Sequence, residues 1–181
     1  MYNLQRPPSG GLCFRREHLI DRRYDISFFN LLADSYLKLI GQPLVPEEIS
    51  SDRAVQWLYE DAPFGLLAHN TAPDPIFIYG NKTAQKCFEY TWEELTALPS
   101  RLSAEPAEQS ERQHFLERVE KDGYVTGYRG IRITKYGKRF WIEDATVWDL
   151  TDESGKFCGQ AALLPVVEDV QNAAPGAKVQ S

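Results

Sequence analysis

Three strand-like stretches in a row, residues 124–134, 139–150 and 156–164, fill the last third of the chain. What separates them constrains the fold most. The separators are Lys135-Tyr136-Gly137-Lys138 and Asp152-Glu153-Ser154-Gly155. Both are short and carry the glycine and aspartate that close tight turns, so the three strands pair as antiparallel neighbours. A sheet built this way has a face to bury, and the upstream sequence must supply the cover.

That upstream sequence is largely helical. Between Asp25 and Ile40 the residues Phe28, Phe29, Leu32, Tyr36, Leu39 and Ile40 recur at helical spacing, and Gly41 with Pro43 stops the helix. Its apolar stripe serves either as cover for the main domain or as a surface for a partner. A second short helix runs from Ser51 to about Tyr59, capped by Ser50 or Ser51, with Ala54, Val55 and Leu58 facing inward. The period then changes. Residues 64–71 and 75–81 read as two strands around Pro73-Asp74-Pro75. Asn81 is placed to cap the helix that follows, and Thr91 with Glu94 has the spacing of a capping box for the next. Residues 107–123 read as a longer helix ended by Gly123.

Hairpins join only the last three strands, so the first two return to the sheet through the helical excursion. The fold class is α+β, with an antiparallel sheet, helices over one face, and room for a pocket between them. Four regions follow: a flexible basic segment 1–24, flanking helices 25–60, a core 61–165, and a disordered tail 166–181 of small and polar residues.

The 181 residues, 43% hydrophobic and 12% aromatic, suffice for one core. A net charge of −6 argues against nucleic acid as a direct partner, because phosphate binding needs a basic footprint. No apolar run approaches the ~20 residues of a membrane span, and the first residues lack the pattern of a secretory signal. The three cysteines, Cys13, Cys87 and Cys158, are odd in number and without metal-ligand spacing. A cytoplasmic protein with reduced thiols and no bound metal is the expectation.

Catalytic motifs are missing from the sequence. The three histidines are His18, His69 and His114, and there is no H-E-x-x-H, G-x-S-x-G or phosphate-binding glycine loop. His114 falls opposite the side defined by Phe115, Leu116 and Val119, whereas Arg112 projects close to that side. His69 ends a strand and reads as a hydrogen-bonded structural residue. Glu143 and Asp144 are adjacent in a strand, so alternation sends one carboxylate to each face. A two-residue loop at Tyr136-Gly137 sets Arg129 opposite Asp144; a three-residue loop sets Arg132 opposite Ile142, with Asp144 diagonal to it. Either register yields an arginine–carboxylate pair, used as a structural tie, as part of a ligand site, or as the acid–base pair of an enzyme. The segment PSRLSAEP, residues 99–106, links two helices. Ser100 and Ser103 are expected as caps or backbone partners. Arg101 either ties its own loop, through Glu105 or a backbone carbonyl, or joins Arg112 in presenting two guanidinium groups to an anionic ligand.

Several long words of the sequence, DPIFIYGN, TWEELTALPSRLSAEP, GYRGIRI, RFWIEDATVWDLTDESG and GQAA, resemble the MEKHLA domain, a PAS-like family, over roughly residues 25–164. The family occurs at the C-terminus of plant homeodomain–leucine-zipper transcription factors and as small stand-alone proteins of bacteria and algae. The hexapeptide that names it, the homeodomain and the zipper are all missing here, so the chain is similar to the stand-alone form. The resemblance implies a PAS-like five-stranded antiparallel sheet with short helices on one face, preceded by N-terminal helices. In the flavin-binding branch of the PAS fold, the segment matching residues 99–106 carries an adduct-forming cysteine and a phosphate-binding arginine. Here Arg101 matches the arginine and Ser100 stands in place of the cysteine. The ring-holding asparagines of that branch fall on Arg132 and Ile142, which cannot reproduce an amide. No cofactor is expected, neither flavin nor haem.

The resemblance further implies a non-enzymatic sensory or interaction module that regulates association, as a homodimer or with another protein, with a small ligand as one route. Phe28, Phe29, Leu32 and Tyr36 are the expected interface anchors. Ser100, Arg101, Arg112, Arg132, Ile142 and Asp144 are the expected ligand-binding residues. An enzyme using Asp144 or Glu143 beside an arginine is the alternative from another class.

Overall fold

The computed structural model describes residues 21–105, 118–119 and 121–169. The three C-terminal strands form as their turns dictate: β3 (Tyr124–Ile133), β4 (Arg139–Thr151) and β5 (Phe157–Leu164). In the first turn the Thr134 N–H donates to the Lys138 carbonyl at 2.9 Å, and Gly137 takes the left-handed conformation at φ 79°. This makes a three-residue loop, Lys135 to Gly137, with a glycine where positive φ is needed. It sets Arg132 opposite Phe140 and Gly130 opposite Ile142. Neither register drawn from the sequence is the one formed. The loop is centred on Tyr136, one residue earlier than the Gly137-centred three-residue loop that would set Arg132 opposite Ile142, because Gly137 supplies its last residue.

The first two strands, β1 (Gly65–His69) and β2 (Phe77–Gly80), pair with each other, and β1 joins β5. The sheet therefore runs β2-β1-β5-β4-β3. Past Pro165 the chain does not leave the sheet. Residues Val166–Asp169 form β6, which pairs with the first half of β4 while β5 pairs with the second half. The ordered core thus extends beyond the boundary at 165 read from composition, because β4 is long enough to offer backbone partners to both.

Two bulges break the β3–β4 ladder. From Ile142 to Ala145, β4 carries one residue more than β3 does from Gly130 to Tyr128; from Tyr128 to Val125, β3 carries the extra one. Asp144 (φ 52°) and Gly127 (φ 69°) adopt the left-handed conformations these bulges contain.

Helices cover both faces of the sheet. Over what we call the inner face lie α3 (Lys82–Phe88), α4 (Trp92–Leu95) and a 3-10 turn, Ser100–Ser103. Both helices start as their sequences specify. Asn81 accepts from the Ala84 N–H, and Thr91 with Glu94 completes the capping box. Their apolar side chains meet Leu67, Phe77, Phe140, Ile142 and Leu164 in one cluster. The outer face is covered by α1 (Ile26–Ile40), with α2 (Ser51–Glu60) beside it. Asp25 caps α1 by accepting from the Ser27 and Phe28 amides, and Gly41 ends it at φ 78°. Ser50 precedes α2 without a side-chain cap bond.

The anchors expected to meet a partner are taken by the chain's own sheet. Phe28, Leu32 and Tyr36 are 3%, 0% and 8% exposed, and the partly buried Phe29 packs on the same cluster. The Tyr36 ring meets Trp148 edge-on at 4.8 Å, and Ser35 Oγ hydrogen-bonds both backbone groups of Thr151. The interface reading of these four residues is corrected on that ground, and cover is the role α1 fulfils. We expect Leu32→Ala to destabilise the domain by about 3 kcal/mol, the usual cost of emptying a buried leucine site. The midpoint of urea unfolding measures it, and a loss below 1 kcal/mol would mean that α1 is not part of the core.

Candidate functional site: the inner-face cavity

Between the inner face and its cover lies a cavity of about 60 Å³. Leu67, Phe77, Phe88, Ile142 and Leu164 give it apolar walls. α3 brings Phe88 into place because Asn81 anchors the start of that helix to the sheet. The Asn81 amide accepts from the Leu66 and Ala84 N–H groups and donates to the Leu58 and Phe64 carbonyls. The 3-10 turn adds Ser103 to the lining. That turn is pinned to the β1–β2 connection by the Ser100 N–H, which donates to the Pro75 carbonyl at 2.7 Å. The Ser103 hydroxyl donates to the Ser100 carbonyl, also at 2.7 Å. Of PSRLSAEP, Ser103 bonds the backbone and lines the cavity, while the helix that follows it in the sequence lies outside the described residues.

The polar part of the wall is uneven. At one end Arg132 projects from β3 and is only 8% exposed. Its Nη1 donates to the Ile131 carbonyl at 2.8 Å and its Nη2 to the Tyr128 hydroxyl at 3.2 Å, with the guanidinium 5.3 Å from the Tyr128 ring centre. Tyr128 reaches it by lying across Gly130, where a Cβ would come within 2.4 Å of the phenol oxygen. Among the described residues no carboxylate lies within ion-pair distance of Arg132. In the neighbouring strands His69, Gln160 and Asp149 occupy one cross-strand row. Gln160 Nε2 donates to Asp149 Oδ1 at 3.0 Å, and both His69 and Gln160 line the cavity.

The expected ligand residues divide accordingly. Arg132 and Ile142 line the cavity together. Ser100 is buried at 1% but serves the turn and is not part of the lining. Arg101 is exposed and forms a two-bond ion pair with Asp74, Nε to Oδ1 at 3.0 Å and Nη2 to Oδ2 at 3.2 Å. It ties the turn to the β1–β2 connection, and does so through neither Glu105 nor a carbonyl. Glu105 pairs with Arg139. Asp144 is exposed, and Glu143 pairs with Arg129 at 2.6 Å, where the guanidinium also lies 3.7 Å over the Trp141 ring. Neither acid reaches the cavity, because the bulge turns Asp144 outward where strict alternation would have turned it in. Arg112 lies outside the described residues, as do His18, His114 and Cys13.

For Arg101→Ala we expect a stability change within about 0.5 kcal/mol, since an exposed ion pair contributes little. Small-molecule binding should be unaltered. A ligand affinity lowered tenfold in this variant would return Arg101 to the site.

Tyr128, Gln160 and Ser103 are lining residues that sequence reasoning missed. The inward phase of β3 and β4 was available from Phe140, Ile142, Ala145 and Val147, whose spacing skips a step at Glu143-Asp144 and signals the bulge. Cys87, half-buried on α3, has its thiol pushed up by burial, which keeps it in the unreactive protonated form. No cluster of metal-ligating side chains and no helix long and apolar enough to cross a membrane occurs among the described residues.

A five-strand antiparallel path in the order 2-1-5-4-3, with short helices over one face, is the arrangement of PAS domains. Solved structures agree. The PAS domain of a protein from Colwellia psychrerythraea superposes with a TM-score of 0.53 at 17% identity, over 64% of this chain and 92% of that one. An RNA-binding light-oxygen-voltage receptor superposes with a TM-score of 0.54 at 17% identity, over 70% of this chain and 35% of the receptor. No curated protein sequence matches the chain. The MEKHLA domain model matches residues 26–168, and the chain belongs to that family.

Proposed function

We propose that this chain is a non-enzymatic sensory module in which a small molecule held in the inner-face cavity controls association with a protein partner, a second copy or another chain. The observation that carries this reading is the cavity itself. It lies between the sheet and the short helices that cover it, apolar on most sides and with a buried arginine in its wall. Such a mix of apolar surface and a few placed polar groups is what small-molecule sites use. Because α1 spends Phe28, Leu32 and Tyr36 on its own sheet, any contact it makes with a partner uses its outward residues, among them Ile26 and Leu37. The free thiol of Cys87 suits a reducing cytoplasm.

The enzyme reading loses its support. It required Asp144 or Glu143 inside a deep pocket, and one is exposed while the other is paired with Arg129 at the surface. The cavity residues also fit a flavin poorly. Ser100 offers no thiolate, Arg101 is held by Asp74, and about 60 Å³ is small beside the ~300 Å³ at which sites for drug-sized ligands begin.

Native mass spectrometry of the freshly expressed chain tests the proposal. We expect a retained small molecule, a mass above that of one chain, or both, with the association state changing when the small molecule is removed. A bare monomer at every concentration would overturn it.

A further inference from the structure

Among the described residues Arg132 is buried with no counter-ion, and that makes it the most informative group in the structure. A guanidinium removed from water is costly unless its charge is matched and its donors are filled. Here two of its five N–H donors meet neutral oxygens, the Ile131 carbonyl and the Tyr128 hydroxyl. Among the described residues no acid completes the pair. Glu143 is engaged on the other face by Arg129, Asp144 points to solvent, and Asp149 lies in the cross-strand row of His69 and Gln160. Meanwhile Tyr128 spans Gly130 to hold the guanidinium at the cavity wall. The arrangement positions a positive charge and leaves its partner to come from outside.

Resting on the reading of this cavity as a ligand site, we propose that it takes a small monocarboxylic acid with an apolar body, its carboxylate on Arg132 and its carbon chain against Phe88, Ile142 and Leu164. Arginine's planar fork matches a carboxylate with two parallel hydrogen bonds. Arg132 is the one guanidinium among the described lining residues and selects a monoanion, since a dianion would bring a second charge that no described lining residue matches. The apolar walls select a hydrocarbon body over a bare inorganic anion. A space of about 60 Å³, several times the ~10–15 Å³ that admits one water on this measure, sets the size at a few carbons.

The probe is sodium butyrate, titrated into the full chain at constant ionic strength, with butyramide and inorganic phosphate as controls. The readouts are calorimetric affinity and the thermal unfolding midpoint. We expect butyrate to bind saturably and raise the midpoint, while neither control does. Arg132→Met should weaken butyrate by at least about tenfold, the worth of a charge-assisted hydrogen bond. Arg132→Lys should fall between, keeping the charge and losing the fork. Butyrate binding no better than butyramide overturns the inference without recourse to any variant, and so does full affinity in a folded Arg132→Met protein. Phosphate binding as tightly as butyrate overturns the apolar body. Masses recorded on the same samples keep the two readings apart. Butyrate binding with no change in association leaves the acid site standing and removes the sensory coupling. A different retained molecule with no butyrate binding does the reverse.

Discussion

Asn81→Ala is expected to destabilise the domain by about 4 kcal/mol, one kilocalorie or so for each of four hydrogen bonds, three of them buried. The side chain is fully buried and joins three elements at once. Its oxygen holds the Leu66 amide of β1 and the Ala84 amide of α3, and its nitrogen holds the carbonyls of Leu58 in α2 and of Phe64. Alanine leaves all four groups unmet, three of them buried. Asn81→Asp separates capping from the rest. It keeps an acceptor for the two amides but turns an oxygen toward two carbonyls, so it should rescue little of the loss. The urea midpoint of each variant reads this directly. A loss under 2 kcal/mol for alanine, or near-native stability for aspartate, would show that the network matters less than its geometry implies.

Gly159→Ala should be comparably damaging, about 3 kcal/mol or more, for a reason of backbone shape. Gly159 sits at φ 138°, and a Cβ there would lie 2.2 Å from the His69 carbonyl oxygen. That oxygen belongs to the neighbouring strand, so relief requires moving β1 away from β5. Gly155→Ala is the matched control. It has φ 81° and nothing within 4 Å, so it bears only the left-handed penalty of about 1 kcal/mol. Thermal midpoints of the two variants should differ by several degrees. Equal midpoints would mean that β1 and β5 yield readily to the extra methyl group.

Much of this architecture is legible in the sequence, because local chemistry and global fold agree. Asp25 and Gly41 bound α1, Asn81 starts α3, Thr91 and Glu94 box α4, and two short glycine turns order the last three strands. Such signals involve neighbours in the chain. What escaped depends on counting across strands. The β3–β4 register turned on whether Gly137 closes the loop, and the facing of Glu143 and Asp144 on a bulge that alternation ignores. Arg101 looked like a site residue because it occupies a motif position, and only the fold brings Asp74 to meet it. Arg132 was found through the family motif. That no described acid meets it is a property of three dimensions, since it requires knowing where those acids ended up. The stripe on α1 was ambiguous for the same reason: an apolar face tells that it will be covered and is silent on by what.

Asp144 has a consequence larger than its single exposed carboxylate. A strand assigns its side chains by odd and even count, and β4 has to serve two clients of opposite parity. Phe140 and Ile142, even-numbered, must lie on the inner face, and so must Ala145 and Val147, which are odd; Trp148, even again, must face α1. The one surplus residue at the bulge converts between the two counts. Straightening the bulge with residue 144 kept in place would swing Trp148 into the cavity and Val147 under α1, exchanging the contents of the two faces from that point on, whereas deleting residue 144 leaves a regular strand with both facings intact. The acidic pair that drew attention as chemistry is, on this account, arithmetic.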